Sequence, residues 1–325
     1  MVVIETKKKR RKKVHDKMSE KKSFKENEKR IITNEEYRLI SPVLEKISIP
    51  STADIYRFID SKLDKIYNVY LICYNGKKFL VKKTDGEWNE RPVYDKYFKN
   101  TNLPVAKIYE EHHINDDVYL IIEYIEGYDA RNCSCKEATL IGSELAKLQS
   151  TFLCFDKNNA SAQKYFIRRY EHYFTPLLKL FPELEKAFKC SDERYFTAPL
   201  TLIHDDLLPI NVLLSDDGVH FIDWETADIR PYFLDLARFA FVNDENEFYI
   251  SKESADSFLD SYYKSMSANP LFQISKQQFC KDVAISALWQ YGVFVDTDLP
   301  KEEIIKTTEY QYLCRICDYI MKKNI

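Results

Sequence analysis

Between positions 202 and 214 the chain sets His204, Asp206 and Asn211 in a His-x-Asp-x-x-x-x-Asn spacing, flanked by short apolar runs. Further on, a second apolar run ends in acids: Val219-His-Phe-Ile-Asp223-Trp224-Glu225. Phosphoryl transfer needs this set of groups. One carboxylate takes the proton of the attacking hydroxyl, and hard oxygen ligands hold the divalent metal that neutralises charge on the phosphates. On this reading Asp206 is the proton-accepting carboxylate, and Asn211 and Asp223 are the Mg2+ ligands. Asp and Asn also build ordinary surface turns, so the motif depends on its context.

That context is a set of short strands followed by helices. Tyr67 to Tyr74 and Lys77 to Lys83 are rich in β-branched and aromatic residues and are joined by Asn75-Gly76, a strong hairpin signal. A helical stretch is expected from about Trp88 to Lys99, and two more strands, Val105 to His112 and Val118 to Tyr124, around the Asn115-Asp116 turn. Before them, Asn34 to Ile47 reads as a helix capped by Thr33 or Asn34, and Ala53 to Asp60 as a second short helix. Beyond Gly127 the pattern is mostly helical: Lys136 to Leu153, 161–189, about 232–242, 251–267, 276–294 and 301–322. The strand-containing stretch 200–222 interrupts it. A small sheet region followed by a larger helical one is an α+β arrangement, expected to divide as a tail over 1–30, a sheet lobe over 31–126 and a helical lobe over 127–325.

The bulk numbers agree with a globular protein. The 325 residues are 45% hydrophobic and 30% charged, enough for a sizeable core. No secretory leader and no run of 18 apolar residues is visible, so a cytoplasmic location with reduced thiols is the expectation for the eight cysteines. Residues 1–30 carry 13 of the 48 basic and five of the 51 acidic residues, a charge of +8, which leaves −11 on the remainder. The run from Lys7 to Lys13 reads first as a solvated leader and second as a contact for an anionic membrane or nucleic acid. The acidic body weakly favours a cationic substrate.

The two acid-bearing segments resemble the aminoglycoside phosphotransferase and choline kinase superfamily, small-molecule relatives of protein kinases. His204-Asp205-Asp206-Leu207 with Asn211 matches that family's catalytic loop, and Ile222-Asp223-Trp224-Glu225 its metal aspartate. Asp235-Leu236-Ala237-Arg238 resembles the next landmark, whose aspartate buttresses the loop. Three ordered elements make coincidence a poor explanation. The resemblance extends over roughly residues 60–325 and implies a bilobal protein-kinase-like fold, with a small antiparallel-sheet N-lobe and a larger, mainly helical C-lobe. It implies His204 and Asp206 as catalytic positions, ATP or GTP as donor, and a small-molecule acceptor.

The resemblance also implies a strand lysine that reaches the phosphates. Phe79-Leu80-Val81-Lys82 fits, because alternation puts Leu80 and Lys82 on one face; Lys83 is the rival. Glu90 is the expected partner of that lysine, with Glu87 as the alternative. Tyr119 to Gly127 resembles the strand-and-hinge connection, so the backbone of Glu123 and Ile125 would meet the adenine. The family's glycine-rich loop is absent. Where it would lie the chain reads Ile59 to Asn68, and Ser61 stands in as a phosphate contact. That departure keeps a non-catalytic nucleotide-binding scaffold as an alternative. For the acceptor, Trp224, Glu225, Trp289 and Asp296 are the candidates. An acid ring would suit an aminoglycoside, the first expectation, and an aromatic cage would suit choline, so that a choline- or ethanolamine-type metabolic kinase is the alternative. Cys314-Arg-Ile-Cys317 lies in a helical pattern and reads as packing. The adjacent His112 and His113 diverge on a strand and make a poor metal site.

Overall fold

The computed structural model describes residues 29–60, 65–84, 88–156, 158–240 and 250–322. Ser61, Glu87 and the basic run Lys7 to Lys13 lie outside them. The chain divides into two compact units. One holds residues 29–130 together with 210–226; the other holds 131–209 and 227–322.

The first unit is built on a six-stranded antiparallel sheet. Its strands are β1 (Lys29–Ile31), β2 (Asp54–Asp60), β3 (Lys65–Tyr74), β4 (Lys77–Thr84), β5 (Ile108–Ile114) and β6 (Asp117–Glu123), in the order β1-β2-β3-β4-β6-β5. Asn75 and Gly76 both take positive φ, 51° and 72°, which closes the β3–β4 hairpin as the Asn-Gly dipeptide predicts. Helix α1 (Asn34–Lys46) starts at a capping box: the Thr33 hydroxyl accepts from the Glu36 N–H, and the Glu36 carboxylate accepts from the Thr33 N–H. Ile40, Val43 and Leu44 of α1 pack on Ile55, Tyr70, Ile72, Val81 and Tyr119, one face of the sheet. Ile108, Val118, Leu120 and Ile122 gather with Leu80 on the other.

One sequence expectation is corrected here and one is narrowed. The segment expected as a second helix, Ala53 to Asp60, is strand β2. Its residues pair with β3 from Asp54↔Cys73 to Asp60↔Lys65, and that ladder outweighs weak local helical preference. The helix expected over Trp88 to Lys99 contracts to α2 (Arg91–Val93) and a π-turn (Tyr94–Phe98).

The same unit contains a three-stranded sheet in the order β10-β9-β7, from β7 (Gly127–Asp129), β9 (Val212–Ser215) and β10 (Gly218–Phe221). Phe221 bridges to Val105 in parallel, and its N–H donates to the Pro104 carbonyl at 2.8 Å.

The second unit is mainly helical: α3 (Cys135–Thr151), α4 (Ala160–Arg169), α5 (Thr175–Leu180), α6 (Glu185–Tyr195), α7 (Leu234–Ala240), α8 (Lys252–Met266), α9 (Lys276–Phe294), α10 (Lys301–Ile304) and α11 (Thr308–Lys322). The expected 301–322 helix is thus two helices. A two-stranded ladder of β8 (Leu200–Ile203) and β11 (Asp228–Pro231) crosses the unit. Helix α9 runs through its core and buries Val283, Ala284, Ile285, Ala287, Leu288 and Trp289. Cys317 is buried on α11, which pushes its thiol up to about 12, and Cys314 is half-buried on the same helix. Among the described residues no helix is long and apolar enough to cross a membrane.

Candidate active site

In the sheet unit the site is organised around Lys82. Strand alternation turns Val81 toward α1 and Lys82 to the opposite face, with Leu80. The Lys82 ammonium donates to Asp223 Oδ1 at 2.6 Å and to Glu90 Oε1 at 3.1 Å, and it lies 3.4 Å from Glu225 Oε2. Burial opposes the Lys82 charge. The carboxylates of Glu90, Asp223 and Glu225 outweigh it and hold the ammonium protonated well above its usual range. Burial and the neighbouring Asp223 raise the Glu225 carboxyl, against the opposing pull of Lys82. Lys83 faces elsewhere and pairs with Asp117 at 2.6 Å.

Glu90 is 8% exposed and stands at the start of α2. Its second oxygen accepts from the Trp224 backbone N–H at 3.2 Å. One carboxylate thereby ties the lysine to the segment that carries Asp223.

Asn211 and Asp223 are held at the open end of one hairpin. Strands β9 and β10 pair from Val212↔Phe221 to Ser215↔Gly218, and the Ile222 N–H donates to the Asn211 carbonyl at 3.0 Å. Asp223 takes φ of 70°, a left-handed conformation that short polar side chains tolerate better than most. Among the described residues no group of three or more His, Cys, Asp or Glu side chains is arranged to hold a metal. Magnesium does not need one, because it uses one or two carboxylates and completes its shell with water and phosphate oxygens. The amide oxygen of Asn211 and the carboxylate of Asp223 fit that donor chemistry.

At the end of β6, Glu123 exchanges backbone contacts with Lys107: its N–H donates to the Lys107 carbonyl at 2.8 Å, and its carboxylate accepts from the Lys107 N–H at 3.1 Å. Ile125 follows, half-buried, before β7.

In the helical unit the loop after β8 is gripped by Asp235 of α7. Asp235 Oδ2 accepts from the His204 N–H at 2.8 Å, and Oδ1 from the Asp205 N–H at 2.9 Å. Gln149 of α3 donates to the same carboxylate at 2.9 Å and accepts from the Tyr262 hydroxyl at 2.5 Å. Complete burial raises the Asp235 carboxyl to about 6 despite those donors.

His204 is 0% exposed, so its ring sits in the protein interior. Asp205 takes φ of 66°; its carboxylate accepts from the Tyr165 hydroxyl at 2.6 Å and pairs with Arg230 at 2.7 Å. Asp206 keeps 38% of its side chain exposed and accepts from Arg238. Neither the Arg238 contact nor the Arg230 contact was read from the sequence. Arg238 lies in a segment singled out only for its aspartate, and no periodicity marks a pair 32 positions apart.

The acceptor candidates divide between the two units, Trp224 and Glu225 in the first and Trp289 and Asp296 in the second. Trp224 is 4% exposed, packs edge-on to Phe98 with ring centroids 4.7 Å apart, and donates its indole N–H to the Phe221 carbonyl. Trp289 is 3% exposed, stacks on Tyr195 at 4.7 Å and donates to the Ser191 hydroxyl. Both indoles are core members with satisfied N–H groups. Asp296 is exposed and accepts from the Asp298 N–H. Glu225 belongs with Lys82. His112 and His113 each pair with a neighbouring glutamate, Glu110 and Glu111.

The chain belongs to the phosphotransferase enzyme family, whose model matches residues 90–266. Protein LicA of Haemophilus influenzae is 34% identical over 87 residues, 25% of this chain; the chain spans 31% of that relative's length. The fold is shared with choline kinase LicA from Streptococcus pneumoniae, with a TM-score of 0.55 at 16% identity, covering 88% of this chain and 98% of the other. It is also shared with a thermostable mutant of an aminoglycoside phosphotransferase in complex with ADP and hygromycin B, with a TM-score of 0.53 at 13% identity, covering 87% and 97%.

Proposed function

We propose that the protein transfers the γ-phosphate of a magnesium-bound nucleoside triphosphate, ATP in the first instance, to a hydroxyl of a small amino alcohol such as choline. The observation that carries this is the convergence of Glu90, Asp223 and Glu225 on the half-buried Lys82 ammonium. Burying one lysine among carboxylates is costly unless the charge has a use, and a fixed cation suits the α- and β-phosphates of a nucleotide. Asn211 and Asp223 would hold Mg2+, which when bound neutralises phosphate charge. Asp206, exposed and anchored, takes the acceptor's proton. The backbone of Glu123 and Ile125 is the proposed adenine contact.

The amino-alcohol reading draws support from the sequence match to protein LicA and from the fold shared with a choline kinase. An aminoglycoside is the second reading, favoured by the fold shared with the hygromycin B complex and by the exposed acids after α9. A thermal-shift panel of MgATP and MgGTP, each with and without choline, ethanolamine and aminoglycosides, separates them, since a ligand raises stability by mass action. Stabilisation by MgATP and further by choline is expected. No response to either nucleotide would favour the non-catalytic scaffold.

A further inference from the structure

The geometry points to Arg238 as a positioning residue for Asp206, fixing the orientation of the carboxylate that accepts the acceptor's proton. The inference rests on Asp206 being that carboxylate. Arg238 Nε donates to Asp206 Oδ1 at 3.0 Å and Nη2 to the same oxygen at 2.6 Å. The rotation of an aspartate carboxylate about its last bond is otherwise loosely determined. Two N–H groups closing on one oxygen define it, as charge-assisted guanidinium contacts do.

The clamp is itself rigidly based. Arg238 lies three residues after Asp235 on α7, so the two side chains share one helix face. Asp235 holds the backbone of His204 and Asp205, and Arg238 holds the side chain of the next residue, Asp206. Helix α7 is fixed in turn by the Ser286 hydroxyl of α9, which accepts from the Ala237 N–H at 3.1 Å and donates to the Leu234 carbonyl at 3.2 Å. One short helix thus sets both the path of the loop and the aim of its exposed carboxylate. Arg238 also lies 5.8 Å from the ring of Phe294, at the end of α9.

A positioning role separates turnover from binding. Misplacing a proton acceptor by a fraction of its contact distance costs roughly 10- to 100-fold in rate. The test compares wild type, Arg238→Ala, Arg238→Lys and Asp206→Asn in steady-state transfer from MgATP to choline. Arg238→Ala is expected to lower kcat by roughly 10- to 100-fold with the KM values for MgATP and choline within about threefold. Added methylguanidinium should restore part of that loss, while equimolar urea should not, a rescue that a general packing defect would not show. Arg238→Lys should fall between. Wild-type kcat in Arg238→Ala, or a higher kcat, would overturn the inference; activity in Asp206→Asn would overturn the underlying reading instead. Nitrogen-15 NMR of the Arg238 Nε–H tests the clamp without any acceptor. Slow exchange in wild type that becomes fast in Asp206→Asn supports it, and fast exchange in wild type overturns it.

Discussion

The Lys82 ammonium stands 2.6 Å from the Asp223 carboxylate although 141 positions separate them in the chain. That contact joins the strand β4 to the end of the β9–β10 hairpin, and Glu90 reinforces it from α2. Replacing Lys82 by Met would remove a preorganised cation from the proposed phosphate site. Loss of one such donor costs roughly 100- to 1,000-fold in turnover. Steady-state kinetics with MgATP as the varied substrate should show kcat/KM falling by about that factor. A Lys82→Met enzyme with wild-type kcat/KM would remove the lysine from the mechanism.

Asp235 makes stability depend on pH. Its folded value of about 6 lies above the ordinary aspartate value of 3.8 because the group is fully buried. The folded state therefore favours the protonated acid. That contribution is complete below about pH 4 and is lost as pH rises through 6, amounting to about 3 kcal/mol by linkage. Urea unfolding of wild type and Asp235→Asn at pH 4 and pH 7 isolates it. Wild type should lose stability relative to the variant over that interval. A difference that does not change with pH would contradict the account.

The helical unit depends on a close approach at Gly142. A Cβ built there would come within 2.3 Å of the Phe258 carbonyl oxygen on α8. Alanine gains about 1 kcal/mol over glycine in a helix interior, but a backbone contact this short cannot be relieved by a rotamer change. The clash wins, and Gly142→Ala should be destabilising by about 1–3 kcal/mol, seen as a lower Tm. Gly76→Ala meets open space and carries only the strain of positive φ, roughly 1 kcal/mol. Equal Tm losses in the two variants would contradict the reading.

The sequence made some of this legible for local reasons. Lys82 was distinguishable from Lys83 because a strand alternates faces, and Asn75-Gly76 closed its hairpin because few dipeptides accept two positive φ angles. Asn211 and Asp223 were readable as a pair because both flank short apolar strands. The failures are equally physical. Strand β2 was read as a helix because its ladder partner, β3, is a tertiary fact. The burial of Trp224 and Trp289 is not legible in the sequence, because a helical or loop pattern does not say which indole has its N–H satisfied inside. Arg238 and Arg230 were invisible because ion pairs across a loop follow no period.

The central claim is tested most directly by following the γ-phosphate. Purified wild type and Asp206→Asn are incubated with [γ-32P]ATP, Mg2+ and choline, and labelled phosphocholine is measured over time. The account predicts steady product from wild type, and from Asp206→Asn a rate lower by roughly 100-fold or more, with an unchanged unfolding temperature. Undiminished product from a well-folded Asp206→Asn protein would contradict it.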